Sequence, residues 1–167
     1  MYQGQLIGIF IGERKGHDLQ RVDKVEAVPG RGLTGDRYFL KEGTFSGNDG
    51  PDREVTLIES EALEGLAREY EVPLQPVQAR RNLLTRGVPL NHLVGKTFAV
   101  GPVVLRGIRL CEPCGHLEKL TCMGVQKGLA HRGGLRAQVI EGGTLEVGAT
   151  VTTPPDSSQR VGLVIPT

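Results

Sequence analysis

Apolar positions in this sequence come in short runs, and only one segment carries a helical period. Leu6-Ile7-Gly8-Ile9-Phe10-Ile11 is rich in β-branched residues and predicts a first strand. Val22, Val25, Ala27 and Val28 continue in the same style, and residues 54–58 read as a further strand. Between them, Pro29-Gly30-Arg31-Gly32-Leu33-Thr34-Gly35 predicts a turn-rich loop, because its glycines accept positive φ without steric cost. Residues 41–53 read as a mobile, polar, glycine-rich loop. The one good helix is predicted over 60–71. There Leu63, Leu66, Ala67 and Tyr70 follow i, i+3, i+4, i+7 spacing, Ser60 is the expected N-cap, and Glu64 and Arg68 form an i,i+4 pair on the opposite face. Pro73 and Pro76 end it.

The second half continues in strands. Residues 79–85 alternate weakly; 97–100 and 103–110 are strands separated by a Gly101-Pro102 turn; 116–120 reads as a short helix. Residues 135–141 and 144–152 are expected to form a hairpin around Gly142-Gly143. The fold class that follows is mainly β, a barrel or curved sheet with a few short helices. One domain is expected over 1–153, with 154–167 as a C-terminal tail or arm.

Composition supports this picture. With 24 Gly and 10 Pro in 167 residues, about a fifth of the chain favours tight turns over long helices. There is no run of 18 apolar residues to cross a membrane, and the start lacks the features of a secretory signal. Three cysteines, all between 111 and 122, are no disulfide framework and point to a reducing cytoplasm.

The net charge of +1 conceals a division. Residues 1–78 hold nine Lys/Arg against fourteen Asp/Glu, whereas residues 79–136 hold ten against two. Fourteen of the twenty basic residues are Arg, the side chain best suited to bidentate contact with phosphate. Nucleic-acid recognition would need stacking aromatics or a basic helix. The basic segment has one aromatic residue, Phe98, so a small anionic ligand fits better.

The thiol segment gives the charge a focus. Cys111-Glu112-Pro113-Cys114 follows an apolar strand and precedes the short helix. A thiol at such a place, near cations, ionises more readily and is a better nucleophile or metal ligand. Three readings compete: a thioredoxin-like redox pair, whose usual βαβ context is missing; a structural zinc site of Cys111, Cys114, Cys122 and His116 or His131; and a single reactive or metal-ligating thiol at Cys114. Arg80 and Asn82, two apart on one predicted strand, should share a face and suit a polar, phosphorylated heterocycle. Gly35-Asp36 closes the glycine loop, where a turn-stabilising carboxylate is the plainer expectation. His131-Arg132-Gly133-Gly134-Leu135 places a titratable ring and a cation on a flexible loop, and Arg132 and Arg136 are among the arginines that surround the thiol segment in sequence. His17 and His92 are expected at the surface.

Four motifs occur together: Gly32-Leu33-Thr34-Gly35-Asp36-Arg37, Ala79-Arg80-Arg81-Asn82-Leu83, Cys111-Glu112-Pro113-Cys114 and Gly133-Gly134-Leu135-Arg136-Ala137. In this order and spacing, roughly from Leu6 to Thr152, the chain resembles the MOSC family, the molybdenum cofactor sulfurase C-terminal domains and their stand-alone bacterial relatives. The resemblance implies a barrel like the pyruvate-kinase β-barrel and a protein that binds the molybdenum cofactor (molybdopterin) or handles sulfur for it. Cys114 would ligate molybdenum or carry a persulfide. Arg80, Asn82, Gly35, Asp36, Arg132 and Arg136 would hold the cofactor. It also implies a sulfur transferase, or a molybdenum-dependent reductase of N-hydroxylated compounds. Larger relatives add an N-terminal barrel domain that this sequence is expected to lack, and Tyr38 stands where many relatives have His. The partners expected are the small anionic cofactor or a sulfur-donor protein, with no nucleic acid and no membrane; a homo-oligomer is the further option. The alternatives are a zinc-stabilised binding protein without catalysis and a C-x-x-C thiol redox protein.

Overall fold

The structure is a computed structural model and describes residues 2–14, 18–40 and 50–153. The expected tail over 154–167, His17 and most of the 41–53 loop lie outside the described residues.

In chain order the strands and helices are β1 (Gln3–Ile11), β2 (Gln20–Val22), β3 (Lys24–Val28), β4 (Gly32–Leu33) and α1 (Arg37–Leu40). They continue with β5 (Val55–Glu59), α2 (Ser60–Tyr70), β6 (Leu83–Arg86), β7 (Thr97–Val100) and β8 (Val103–Leu110). The last are α3 (Gly115–Leu120), α4 (Val125–Gly128), β9 (Leu135–Glu141), β10 (Gly143–Glu146) and β11 (Thr150–Thr152). Short 3-10 turns occupy Pro51–Arg53, Pro76–Ala79 and Leu90–Leu93.

Seven strands close a barrel in the order β1-β11-β7-β8-β9-β5-β6, with β6 returning to β1. All neighbours are antiparallel except β5 and β6. That parallel pair requires a crossover, which α2 supplies. β2 hangs from the end of β1, and β10-β3-β4 form a separate small sheet. The mainly β expectation holds, and closure leaves the barrel without a free edge.

Two apolar clusters fix the wall. Leu6, Ile9, Leu57, Leu83, Phe98, Leu105 and Leu135 fill the barrel interior with other small aliphatics. Phe10, Ile58, Leu63, Leu66, Leu84, Leu117 and Leu129 pack outside, between the wall and the helices. β5 is therefore buried on both faces: Val55 and Leu57 point in, Ile58 points out. In β1 the pairing to β6 slips between Leu6 and Gly8. This bulge changes the phase, so Leu6 and Ile9, three apart, both enter the interior.

Several local expectations need correction. α2 begins at Ser60 itself, with Glu59 in the capping position, and the Ser60 hydroxyl donates to Glu61 rather than capping an amide. Ala62, Leu63, Gly65 and Leu66 form the buried stripe, while Ala67 and Tyr70 are exposed. Glu64 pairs with Arg86 on β6 at 2.6 Å instead of with Arg68. The hairpin at Gly142-Gly143 does not form. β9 pairs with β8 and β5, whereas β10 leaves the barrel to pair with β3, and a turn separates it from β11. A βαβ unit does exist, β5-α2-β6, but the thiol segment lies outside it, between β8 and α3.

Among the described residues no helix is long and apolar enough to cross a membrane.

Candidate functional site

One rim of the barrel gathers the end of β8, the start of β9, the start of β6 and α1. A small cavity of about 50 Å³ lies there, lined by Arg37, Tyr38, Arg80, Arg81, Cys111, Glu112, Cys114, His116, Leu117 and Arg136. Four guanidiniums thus face two thiols across a narrow space.

The thiol segment is held by its backbone. The Cys111 amide donates to the Gly134 carbonyl at 2.7 Å. Arg81 Nη2 donates to the Cys111 carbonyl at 3.1 Å, its Nε to the Gly133 carbonyl at 2.8 Å and its Nη1 to the Ala79 carbonyl at 3.4 Å. Gly133 has to be glycine, since a Cβ there would sit 2.6 Å from the Cys111 carbonyl oxygen and 2.7 Å from the Pro113 ring. Cys111 is buried, and Cys114, in the capping position of α3, is half-buried. Cys122 is exposed.

Arg80 reaches the cavity by a route that strand alternation does not anticipate. It ends the 3-10 turn Pro76–Ala79 in left-handed conformation, φ 59°, and β6 starts only at Leu83. Asn82 therefore does not share a strand face with it. Asn82 is fully buried and ties β1 to β5 just before β6 begins. Its Oδ1 accepts from the Thr56 amide at 3.0 Å and the Thr56 hydroxyl at 3.1 Å, and its Nδ2 donates to the Phe10 carbonyl at 3.1 Å.

Asp36 is also fully buried. It accepts from the amides of Gly12 (3.1 Å) and Tyr38 (3.3 Å) and from Arg37 Nη1 (3.2 Å). Burial pushes its carboxyl above the ordinary range, partly offset by Arg37 and by those amides. Gly35 before it has φ 86°, which glycine takes without strain. Together they fix the start of α1, so that Arg37 and Tyr38 line the cavity. Arg37 Nη2 in turn donates to the Arg80 carbonyl at 3.2 Å.

Like charges crowd here. Burial pushes the Arg80 guanidinium below its ordinary value, and the neighbouring Arg37 charge adds to the shift, with Asp18, Tyr38 and Asp36 offsetting part of it. Arg136 is buried too, which disfavours its charge, but Cys111, Tyr38 and Asp52 more than compensate and raise its value. Cations held this close favour an anion between them.

Of the residues expected at the site, the cavity brings together Cys114, Arg80 and Arg136. Asn82, Gly35 and Asp36 stand behind it as supports. Arg132 turns away: its Nε donates to the Gly128 carbonyl at 2.8 Å and its Nη2 pairs with Glu69 on α2 at 2.6 Å. Arg37, Tyr38, Arg81, Glu112 and His116 join the lining, and the motif adjacency of Arg37 and Arg81 was the signal available for two of them. His131 lies outside it, largely exposed, with Nδ1 3.1 Å from Glu112. The zinc arrangement is not formed: among the described residues no three His, Cys, Asp or Glu side chains gather as a metal cluster.

Residues 44–152 match the MOSC domain. The chain belongs to the MOSC domain family. Solved structures agree with this MOSC assignment at the level of fold. YuaD from Bacillus subtilis superposes with TM-score 0.73 at 18% identity, covering 90% of this chain and 97% of that one. YiiM from Geobacillus stearothermophilus gives 0.68 at 17% identity, covering 93% and 78%. YiiM from Escherichia coli gives 0.64 at 20% identity, covering 93% and 71%. A search of the curated proteins finds no match.

Proposed function

We propose that this MOSC protein binds the molybdenum cofactor, or carries sulfur for it, at Cys114. One observation carries the reading: a half-buried thiol and the guanidiniums of Arg37, Arg80 and Arg136 line the same small cavity. The donor set fits. Soft sulfur suits thiolate-rich molybdenum, and guanidinium forks suit a phosphorylated, anionic pterin. Two larger clefts flank the cavity, of about 300 Å³ sharing Arg80 and about 390 Å³ sharing Tyr38, which leaves room for a ligand extending past the thiol.

The chain's own residues divide the work. Arg80 and Arg37 attract and orient the anion. Arg136, whose own charge is favoured by Cys111, Tyr38 and Asp52, adds a further cation to the wall. Each guanidinium nitrogen of Arg81 donates to a backbone carbonyl, so it shapes the thiol segment and adds its field to the cavity. When bound, the cofactor would supply the redox and sulfur-exchange chemistry.

The test is uptake. The protein is incubated with an anionic pterin phosphate and, separately, with inorganic polysulfide. Binding of the first, or one sulfur taken up through Cys114 from the second, whether retained or already released as sulfide, with neither in Cys114→Ser, supports the reading. Equal behaviour of the two proteins contradicts it.

A further inference from the structure

The cavity contains a second thiol that cofactor binding or sulfur carriage on Cys114 does not use. Cys111 is only 2% exposed, yet it lines the same cavity as Cys114. Its backbone is pinned at both ends, by its amide on Gly134 and its carbonyl on Arg81. The Arg136 guanidinium lines the same cavity and interacts electrostatically with Cys111. The two thiols also differ in access as a carrier and a resolving group should. Cys114 is half-buried, within reach of a sulfur donor, while Cys111 is shielded from one.

We infer that Cys111 is a resolving thiol that discharges sulfur from Cys114 as hydrosulfide. This rests on the sulfur-carrying form of the function proposed above. The Cys111 thiolate attacks Sγ of the Cys114 perthiol. A Cys111–Cys114 disulfide forms, and the bond from Cys114 Sγ to the outer sulfur breaks. The outer sulfur takes the electron pair, keeps its proton and leaves as HS⁻. The Cys111 sulfur is oxidised from thiolate to disulfide, the outer sulfur is reduced to hydrosulfide and Cys114 Sγ is unchanged, so atoms, charge and electrons balance. A dithiol reductant returns the pair to two thiols for another cycle. The protein would then hand over reduced sulfide itself, with no separate reductant attacking the persulfide.

The experiment uses the full chain in a Cys122→Ser background, which removes the exposed thiol. Reduced protein is loaded with inorganic polysulfide and desalted, and sulfide release and intact mass are followed together. The parent should release one sulfide per chain and end two hydrogens lighter than its reduced form, with a Cys111–Cys114 linked peptide. Cys111→Ser should keep the added sulfur on Cys114 and release sulfide at least ~10-fold more slowly, as expected when the attacking thiol of an exchange is removed. Cys111→Ala serves as a second variant, and the linked peptide in the parent provides a reading that needs no substitution at all. Release at the parent rate from both variants, or a parent that releases sulfide without the linked peptide, overturns the inference and leaves the carrier intact. No added sulfur on Cys114 in any form overturns the sulfur-carrying reading, and the release step with it.

Discussion

The guanidinium of Arg81 holds the Cys111 carbonyl at 3.1 Å while its Nε holds the Gly133 carbonyl at 2.8 Å. One buried side chain therefore ties the thiol segment to the glycine loop that packs against it. Removing it leaves these two carbonyls and that of Ala79 without their charged donor. Arg81→Ala should lose about 3 kcal/mol by urea unfolding, with Arg81→Lys intermediate because an ammonium cannot span both acceptors. Alkylation of Cys114 should also quicken in Arg81→Ala as the segment loosens. A variant as stable as the parent would mean that the clamp does nothing.

Arg80 and Arg132 should behave differently, although both belong to the motifs. Arg80 lines the cavity and Arg132 pairs with Glu69 on α2. Arg80→Gln should weaken binding of an anionic pterin phosphate about tenfold, the loss of one charge-assisted contact. Arg132→Gln should leave that affinity unchanged. Isothermal titration calorimetry separates the two, and equal losses would contradict the placement.

Asn82 offers a third test. Its side chain joins β1 to β5 from a fully buried position. Asn82→Ala should cost about 3 kcal/mol of stability by leaving buried partners unsatisfied. If Asn82 were a cofactor contact alone, the variant would unfold like the parent and fail only in ligand binding.

The pH dependence has an unusual contributor in Glu54. Burial pushes its carboxyl above the ordinary range, with the amides of Val139 and Gly30 offsetting part of the shift. A raised carboxyl gives stability that is present below its unfolded value and lost as pH rises through the folded one. Glu54→Gln cannot ionise. Its thermal midpoint relative to the parent should therefore improve between pH 4 and pH 7, by roughly 2–4 °C per kcal/mol. A relative decline over that interval would reverse the sign and refute the assignment.

Much of the fold was legible because strand runs and turn residues are local signals. The helix over 60–71 and the strands at 97–100 and 103–110 needed nothing beyond their own segments. The hairpin at Gly142-Gly143 failed because pairing is a tertiary choice: β3 offered β10 a partner that local turn chemistry cannot reveal. At the site, Cys114, Arg80 and Arg136 stood out through residue type and motif. Period-two alternation misplaced Asn82, since the left-handed backbone at Arg80 breaks the strand before it starts. That Arg132 pairs with Glu69 and lies outside the cavity lining was not legible, because charge alone does not show which way a side chain turns and Glu69 lies on a distant element.

The central claim is that Cys114 is where this MOSC protein holds sulfur or cofactor. Mass spectrometry of the native protein from a molybdenum-replete host tests it most directly. The account predicts one added sulfur, or a pterin retained through Cys114, absent in Cys114→Ser. A native chain with unmodified Cys114 and no pterin, or an adduct that survives in Cys114→Ser, would contradict it.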